Sequence, residues 1–349
     1  MKRFFILFIS ELGLSFLLIS CCCDPFSEIF NDINKLNEED KKKLDFYKEI
    51  DTQKMELLGE GYWGKTFKLN DNTCLKVLKK IPSQLVSSEK NIENDNVLQV
   101  QEVSISYFLE DKEIEGILKI QAVHEYENYY FIKTQLCKGS SLEKYIAGGN
   151  YNNNNKLLLN HFLQIANALK NLHGKMIVHM DLKADNVMFA EKDCKNLIII
   201  DLGTAIWYNK TEKPFVEYQQ KGAIRNYSYS IAEAISEGNK YDSSKYDIWC
   251  LGLILYHMVF GKELFPKYNF TNMLNVGLSF GNKKKYVKNV LEDRKNFDIT
   301  KDSNVSKLDK GGILYSLLTN ILTREDRSRW DLKKIIEEIN KHLNLKEKK

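Results

Sequence analysis

The sequence of 349 residues lacks a strong excess of charge of either sign. It has 51 lysine and arginine residues against 47 aspartate and glutamate residues, which gives a net charge of +4. Dedicated nucleic-acid-binding proteins usually have a marked basic excess, so we expect no nucleic-acid partner. Proline is also scarce, at four residues, but the hydrophobic fraction of 43% is that of a globular protein with a core.

The seven cysteines contain no C-x-x-C spacing, and this absence argues against a zinc site. Three of them are adjacent, at Cys21–Cys23, and the other four are far apart in the sequence. Scattered cysteines in a large domain are more often buried thiols than a disulfide framework. We therefore expect free thiols at Cys74, Cys137, Cys194 and Cys250.

The first 23 residues resemble a targeting segment. Lys2 and Arg3 precede an apolar run that ends at Cys21–Cys23, which is the pattern of a secretory signal. Residues 18–21 are also similar to a bacterial lipobox. Glu11 argues against membrane insertion, because a carboxylate within an apolar span costs about 2.5–3.5 kcal/mol. The alternatives are an uncleaved anchor, palmitoylated cysteines, or a buried helix or strand that caps the domain.

We therefore expect residues 1–23 to be a signal or anchor segment. The protein would then be membrane-associated or secreted, with a cytoplasmic location as the alternative. Residues 24–50 include the charge-dense run NEEDKKKLD and are predicted to be a charged linker or helix. The main domain is predicted to begin near Asp51, and the sequence predicts no particular oligomeric state.

A glycine-rich stretch opens this domain. Residues 55–69, MELLGEGYWGKTFKL, contain Gly59, Gly61 and Gly64 in the spacing G-x-G-x-x-G. Glycines let a backbone approach phosphate groups closely, but dinucleotide-binding folds share this motif and follow it with a helix. Here the next residues have the pattern of a strand, an Asn/Asp turn and another strand. The sequence thus predicts a glycine-rich hairpin, with Lys76 on its second or third strand.

Helices and strands alternate along the rest of the domain. Residues 96–110 are predicted to form a helix that bears Glu102, followed by two strands and then a helix that begins at Ser141. The clearest helix is LLLNHFLQIANALKNLHGK at 157–175, with five apolar residues on one face and a terminal Gly174.

The second half of the domain begins with a loop and a short strand. The loop IVHMDLKADNVMF (177–189) is followed by a buried strand that is predicted to end at Asp201. An apolar helix then has Asp247 near its start, and the final amphipathic helix covers residues 331–343.

In this order the motifs resemble those of eukaryotic-type protein kinases, over residues 51–345. Residues 179–186 are similar to the catalytic loop H-R-D-L-x-x-x-N, and Asp201-Leu202-Gly203 is similar to D-F-G. The run from Asp247 to Gly252 resembles the D-x-W-x-x-G of the large-lobe helix. Six motifs in the right order make a chance match very improbable.

The resemblance implies an α+β fold with two lobes. The small, β-rich lobe would cover residues 51–135, and the large helical lobe residues 136–345. It also implies ATP and Mg²⁺ as cofactors and protein substrates as partners. The residues that it implies for nucleotide binding are Leu58, Gly59, Gly61, Gly64, Thr66, Lys76, Glu102, Gln135 and Cys137.

The same resemblance assigns roles in phosphoryl transfer. Lys76 would hold the α- and β-phosphates, and Asp181 would accept the proton of the substrate hydroxyl, with Lys183 beside it. Asn186 and Asp201 would hold Mg²⁺, a hard cation that prefers oxygen ligands. Phosphoryl transfer needs mainly charge neutralisation and alignment, and this set of residues supplies both.

The sequence departs from the family pattern at several positions. Met180 replaces the arginine that binds a phosphate on the activation loop. Leu202 replaces the phenylalanine of D-F-G, residues 231–233 (IAE) lack the proline of A-P-E, and Asn226 stands where a threonine is usual. Residues 114–116 (IEG) replace H-P-N. Because Met180 offers no guanidinium, we expect activity that does not depend on activation-loop phosphorylation.

Three functions remain open from the sequence. The first is an active serine/threonine kinase of the non-RD type, which Lys183 favours. The second is a kinase-like small-molecule phosphotransferase, which would also use an H-x-D loop. Two features argue against this second function. One is the Asp247–Gly252 motif. The other is Arg329, which resembles the late arginine that pairs with the A-P-E glutamate, here Glu233. The third is a non-catalytic pseudokinase scaffold. All residues for nucleotide, metal and proton handling are present, so we expect an active enzyme.

Overall fold

The computed structural model describes residues 56–60, 64–80, 90–126, 128–152, 154–208, 215–216, 228–237, 239–266 and 280–343. For residues 90–98, 215–216, 229 and 280–286 it describes the backbone alone. The predicted segment 1–23, the linker 24–50, Gly61 and Asn226 lie outside the described residues. Within the described ranges, no helix is both long and apolar enough to cross a membrane.

An antiparallel five-stranded sheet forms the smaller lobe, in the spatial order β1-β2-β3-β5-β4. Its strands are β1 (Glu56–Glu60), β2 (Gly64–Lys68), β3 (Thr73–Lys79), β4 (Ile120–Tyr126) and β5 (Tyr129–Gln135). The predicted glycine-rich hairpin is therefore present, and Lys76 lies on β3 at the centre of the sheet. Gly64 pairs with Leu78, and a Cβ at Gly64 would come within 2.0 Å of the Val77 carbonyl oxygen, so this strand position requires glycine.

Helix α1 (Lys90–Leu109) crosses from β3 to β4. It begins several residues before the predicted start at residue 96. Its apolar residues Val103, Ile105 and Leu109 are buried, as are the polar Gln99, Glu102 and Ser106. This mixed buried face explains why helical periodicity is weak in the sequence.

The larger lobe is mainly helical. Its helices are α2 (Leu142–Ala147), α3 (Asn155–Gly174), α4 (Tyr229–Glu237), α5 (Ser243–Phe260), α6 (Phe280–Arg294), α7 (Ile313–Ile321) and α8 (Leu332–Leu343). Its short strands are β6 (Ile177–Val178), β7 (Val187–Phe189), β8 (Leu197–Ile199), β9 (Ile206–Trp207), β10 (Phe215–Val216) and β11 (Tyr241–Asp242). The strand predicted to end at Asp201 ends instead at Ile199.

Two helices build the core of this lobe. The predicted apolar face of α3 is buried, and the Asn154 side chain accepts a hydrogen bond from the Leu157 N–H at the helix start. Helix α5 is apolar on nearly all sides, as expected of a central helix. Asp242 caps its first turn, and Gly261 ends it with a left-handed φ of 65°.

The two lobes join through the loop between α1 and β4. Ile117 forms a parallel bridge with Ile199, and the Leu118 N–H donates to the Ile199 carbonyl at 3.0 Å. Gly116 has φ 77°, and a Cβ there would lie 2.4 Å from the Cβ of Ala168. The structure thus confirms a two-lobed α+β fold. The four cysteines that it describes are all free thiols, as predicted.

Candidate active site

Lys76, on the small-lobe strand β3, contacts carboxylates from both lobes. Its Nζ forms an ion pair with Glu102 Oε1 on α1 and lies 3.2 Å from Asp201 Oδ1, which follows β8. The structure therefore brings together three of the predicted site residues, which are as far as 125 positions apart in the sequence.

The electrostatics of this triad follow from burial and charge. Burial lowers the pKa of the Lys76 ammonium, but the Asp201 and Glu102 carboxylates outweigh it, so its pKa lies above the usual value. The Lys76 charge lowers the pKa of Asp201 to about 2. Burial raises the pKa of Glu102, against the attraction of Lys76. Asp201 and Lys76 are thus both charged at neutral pH.

Asp201 has an uncommon backbone conformation, with φ 62°. A left-handed φ is costly for a residue other than glycine and is found where the surrounding structure enforces it. Here the Gly203 N–H donates to Asp201 Oδ1 at 3.2 Å. Its side chain is 46% exposed, so the carboxylate faces both Lys76 and solvent.

Asp181 has a dense set of partners in the catalytic loop. Lys183 Nζ donates to Asp181 Oδ2 at 2.8 Å. The Asn186 amide nitrogen donates to the Asp181 carbonyl at 2.9 Å and to Asp181 Oδ2 at 3.1 Å. These two bonds fix the orientation of the Asn186 amide, because its nitrogen is used and its Oδ1 must point away from Asp181.

Asp247, on the buried helix α5, forms hydrogen bonds with the backbone of this loop. Its Oδ2 accepts hydrogen bonds from the His179 N–H at 2.7 Å and is 2.8 Å from His173 Nε2, and its Oδ1 accepts from the Met180 N–H at 2.9 Å. Asp247 is fully buried. The sequence marked Asp247 only as part of a motif and did not predict the contact with His173.

His179 orients the start of the loop through both nitrogens of its ring. The Asp181 N–H donates to its Nδ1 at 3.2 Å, and its Nε2 lies 3.0 Å from the Ile200 carbonyl oxygen. These partners require a proton on Nε2 and a lone pair on Nδ1. The ring thereby connects the loop of Asp181 to the residue that precedes Asp201.

Met180 is fully buried and has φ 66°. It belongs to the same apolar core as Leu202 and Ala205, which follow Asp201. The position that carries arginine in the family signature is therefore part of the hydrophobic core.

Residues 52–342 match the protein kinase domain family. The chain belongs to the protein kinase family.

Several curated kinases are similar to this chain. Serine/threonine-protein kinase PSK1 of Saccharomyces cerevisiae is 28% identical over 261 residues, which is 72% of this chain and 18% of the yeast protein. Calcium-dependent protein kinase 5 of Plasmodium berghei is 28% identical over 250 residues, 70% of this chain and 39% of that protein. Serine/threonine-protein kinase ULK3 of Xenopus laevis is 28% identical over 162 residues, 45% of this chain and 32% of its own length. This kinase chain therefore spans well under half the length of these relatives.

The residues predicted to contact the nucleotide lie along the small lobe of the kinase and its junction with the large lobe. Leu58 and Gly59 are exposed on β1, and Thr66 pairs with Lys76 across β2 and β3. Gln135 ends β5 and Cys137 follows it, both half-buried.

One contact beside these residues was not predicted from the sequence. Cys74 Sγ lies 3.0 Å from Thr134 Oγ1 and donates to the Gln135 carbonyl at 3.4 Å. Burial raises the pKa of the Cys74 thiol, so it is not a thiolate at neutral pH.

The family resemblance implied Glu233 as the partner of Arg329, but the described contacts of Arg329 are with other residues. Its guanidinium binds Asp326 Oδ1 at 2.6 Å and donates to the carbonyls of Ile321, Lys245 and Thr323. These partners satisfy its donors locally, so the kinase uses this arginine to join α5 to the segment after α7.

Proposed function

We propose that this kinase transfers the γ-phosphoryl group of ATP to serine or threonine hydroxyls of protein substrates. The observation that supports this most strongly is the position of Lys76, whose ammonium contacts both Glu102 and Asp201. Such a cation between the lobes suits the α- and β-phosphates of a nucleotide. The similar proteins from Saccharomyces and Xenopus are named serine/threonine-protein kinases, which favours serine and threonine as acceptors.

The metal-binding role of Asn186 and Asp201 fits the contacts of these side chains. Asn186 Oδ1 points away from Asp181, because the amide nitrogen makes both bonds to it. Asp201 is ionised and half-exposed. Both would hold Mg²⁺, which prefers oxygen ligands and keeps several waters. When bound, Mg²⁺ neutralises charge on the phosphate oxygens.

Asp181 is proposed to accept the proton of the substrate hydroxyl. Its carboxylate is held by Lys183 and Asn186, and its backbone by His179. This fixed position is what a general base needs, because proton transfer requires hydrogen-bond distance in the reactive complex. Lys183 Nζ lies 2.8 Å from Asp181 Oδ2 and, together with the Asn186 amide, limits the movement of this carboxylate.

We also propose that activity does not depend on a phosphate on the activation loop. An ordering phosphate is best bound by a guanidinium in bidentate geometry. Met180 has a buried thioether instead, in one apolar core with Leu202. The contacts of Lys76 with Glu102 and Asp201 support this proposal, because they form without any contribution from a loop phosphate.

The location of the protein is proposed on its first residues alone. Residues 1–23 are proposed to direct it to a membrane or out of the cell, ahead of a linker at 24–50 and a kinase domain at 51–345. Fractionation of the full chain and of a chain that lacks residues 1–23 tests this. A full chain that remains in the cytosol would refute the targeting role.

The experiment for the catalytic proposal is radiolabelled phosphate transfer from ATP to generic proteins, with the full chain and an Asp181→Asn control. We expect label on serine and threonine, with a loss of about 10²- to 10⁴-fold in the control. Label on small molecules only would support a small-molecule phosphotransferase. Nucleotide binding without transfer would support a scaffold.

A further inference from the structure

Two aromatic rings join helix α1 to strand β9. The rings of Phe108 and Trp207 have centroids 4.6 Å apart with an interplanar angle of 33°. Lys112 places its ammonium 4.0 Å from the centroid of the Phe108 ring and donates to the Phe108 carbonyl. Aromatic pairs at this distance are attractive beyond the area that they bury.

The ring contact and the ion pair of Lys76 are separated by the same number of residues on both segments. Phe108 follows Glu102 by six residues, and Trp207 follows Asp201 by six residues. Lys76 already connects Glu102 and Asp201, so the same two segments meet at two places. Six helical residues correspond to about 9 Å along α1. A helix held at one point can pivot about it, whereas two points that far apart fix the direction of its axis.

Strand β9 connects the ring contact to the segment that leads into the catalytic loop. Trp207 pairs with Ile177 on β6, and the Tyr208 N–H donates to the Met176 carbonyl at 3.0 Å. Strand β6 leads directly into His179. The Phe108–Trp207 contact therefore connects α1 to the strand pair that carries the catalytic loop.

Two further hydrogen bonds attach α1 and the residue that follows it to the small-lobe sheet. Gln99 Nε2 donates to the Lys79 carbonyl at 2.8 Å, and Glu110 Oε1 accepts from the Val123 N–H at 3.0 Å. These bonds move with the sheet and do not set the position of α1 relative to the large lobe. Trp207 is 44% exposed, so burial in the core does not account for an indole at this position.

We propose that Phe108 and Trp207 are positioning residues, whose ring contact holds α1 in the orientation in which Glu102 binds Lys76. This inference rests on the proposed function, because it concerns the lysine assigned to the ATP phosphates. Loss of the contact leaves Lys76 and Asp201 in place but lets α1 and Glu102 move away from them.

The test compares three variants of the full chain in direct binding of MgATP, which needs no turnover. Trp207→Ala should raise the dissociation constant about three- to tenfold, the range expected for one aromatic pair. Trp207→Phe keeps an aromatic ring and should stay within about twofold of wild type. Tyr107→Ala is the matched control, because Tyr107 is 43% exposed on the same helix, and it should bind MgATP as wild type does.

Steady-state rates separate positioning from general stability. A positioning role predicts that Trp207→Ala raises KM for ATP while KM for the protein substrate stays unchanged. A merely structural role predicts a lower melting temperature and lower kcat with KM for ATP unchanged, and this result would overturn the inference. Equal MgATP affinity in Trp207→Ala and wild type would also overturn it. A wild-type chain that binds MgATP without transferring phosphate refutes the proposed catalysis alone, and the binding comparison then still decides the positioning role.

Discussion

Replacing Met180 by arginine tests whether the stability and the activity of the protein are independent of a guanidinium in the catalytic loop. Met180 has no exposed surface, and its side chain lies in the apolar core of the large lobe. Asp247 is the carboxylate bonded to this part of the loop, and it already binds His173 and the N–H groups of His179 and Met180. An arginine would therefore bring a charge into the core without a new partner.

The cost can be worked out from this environment. A buried charge without compensation destabilises a protein by about 3–5 kcal/mol. The left-handed φ of 66° at Met180 is equally unfavourable for methionine and arginine, so it cancels in the comparison. For a domain of about 290 residues the unfolding entropy is about 0.6 kcal/mol/K, so the melting temperature should fall by about 5–8 °C.

The assay is thermal denaturation of the full chain together with its phosphate-transfer rate. Met180→Leu is the matched control, because it keeps the volume and the backbone conformation and should cost less than about 1.5 kcal/mol. We expect Met180→Arg to be less stable than both and no more active than wild type. An arginine variant that is as stable as wild type and transfers phosphate faster would show that a loop phosphate is present to bind it, and would refute this reasoning.

Three further predictions concern regulation, loop support and pH. Phosphatase treatment should leave the transfer rate within about twofold, and a tenfold loss, about 1.4 kcal/mol in the barrier, would show that a phosphate matters. Asp247→Asn should lower turnover about hundredfold through displacement of the catalytic loop, with little change in circular dichroism; unchanged turnover would contradict its supporting role. Burial, together with Asp185 and Glu263, raises the pKa of Glu143 to about 7 from 4.5, so its ionisation is a cost to the folded state. This cost is absent below about pH 4.5 and complete above about pH 7. Glu143→Gln should thus stabilise the protein at pH 8, by up to about 1 kcal/mol after solvent screening, and not at pH 4.5; equal melting curves at pH 8 would contradict this.

The fold was predictable where local pattern and long-range structure agree. The hairpin that carries Lys76 follows from its glycines and the Asn/Asp turn, and α3 follows from one clear apolar face with a glycine at its end. Helix α1 was harder to delimit because its buried face includes the polar Gln99 and Glu102. The sequence therefore indicated Glu102 only as a candidate, and the structure places it against Lys76.

The long-range contacts of single side chains were not predictable in this way. The resemblance implied that Arg329 binds Glu233, but its guanidinium lies 2.6 Å from Asp326 Oδ1, a carboxylate only three residues away. The bonds of Asp247 to the catalytic loop and the contact of Phe108 with Trp207 join residues that are far apart in sequence. Such pairs depend on how helices pack, which no local period encodes.

The central claim is that Lys76, Asp181 and Asp201 form a working phosphotransfer site. The most direct test is the Mg²⁺-dependent transfer of labelled phosphate from ATP by the full chain, compared with Asp201→Ala. Removal of this carboxylate takes away a proposed metal ligand and a partner of Lys76, so we predict a loss of at least about hundredfold with an unchanged circular dichroism spectrum. Full transfer activity in Asp201→Ala would contradict the account.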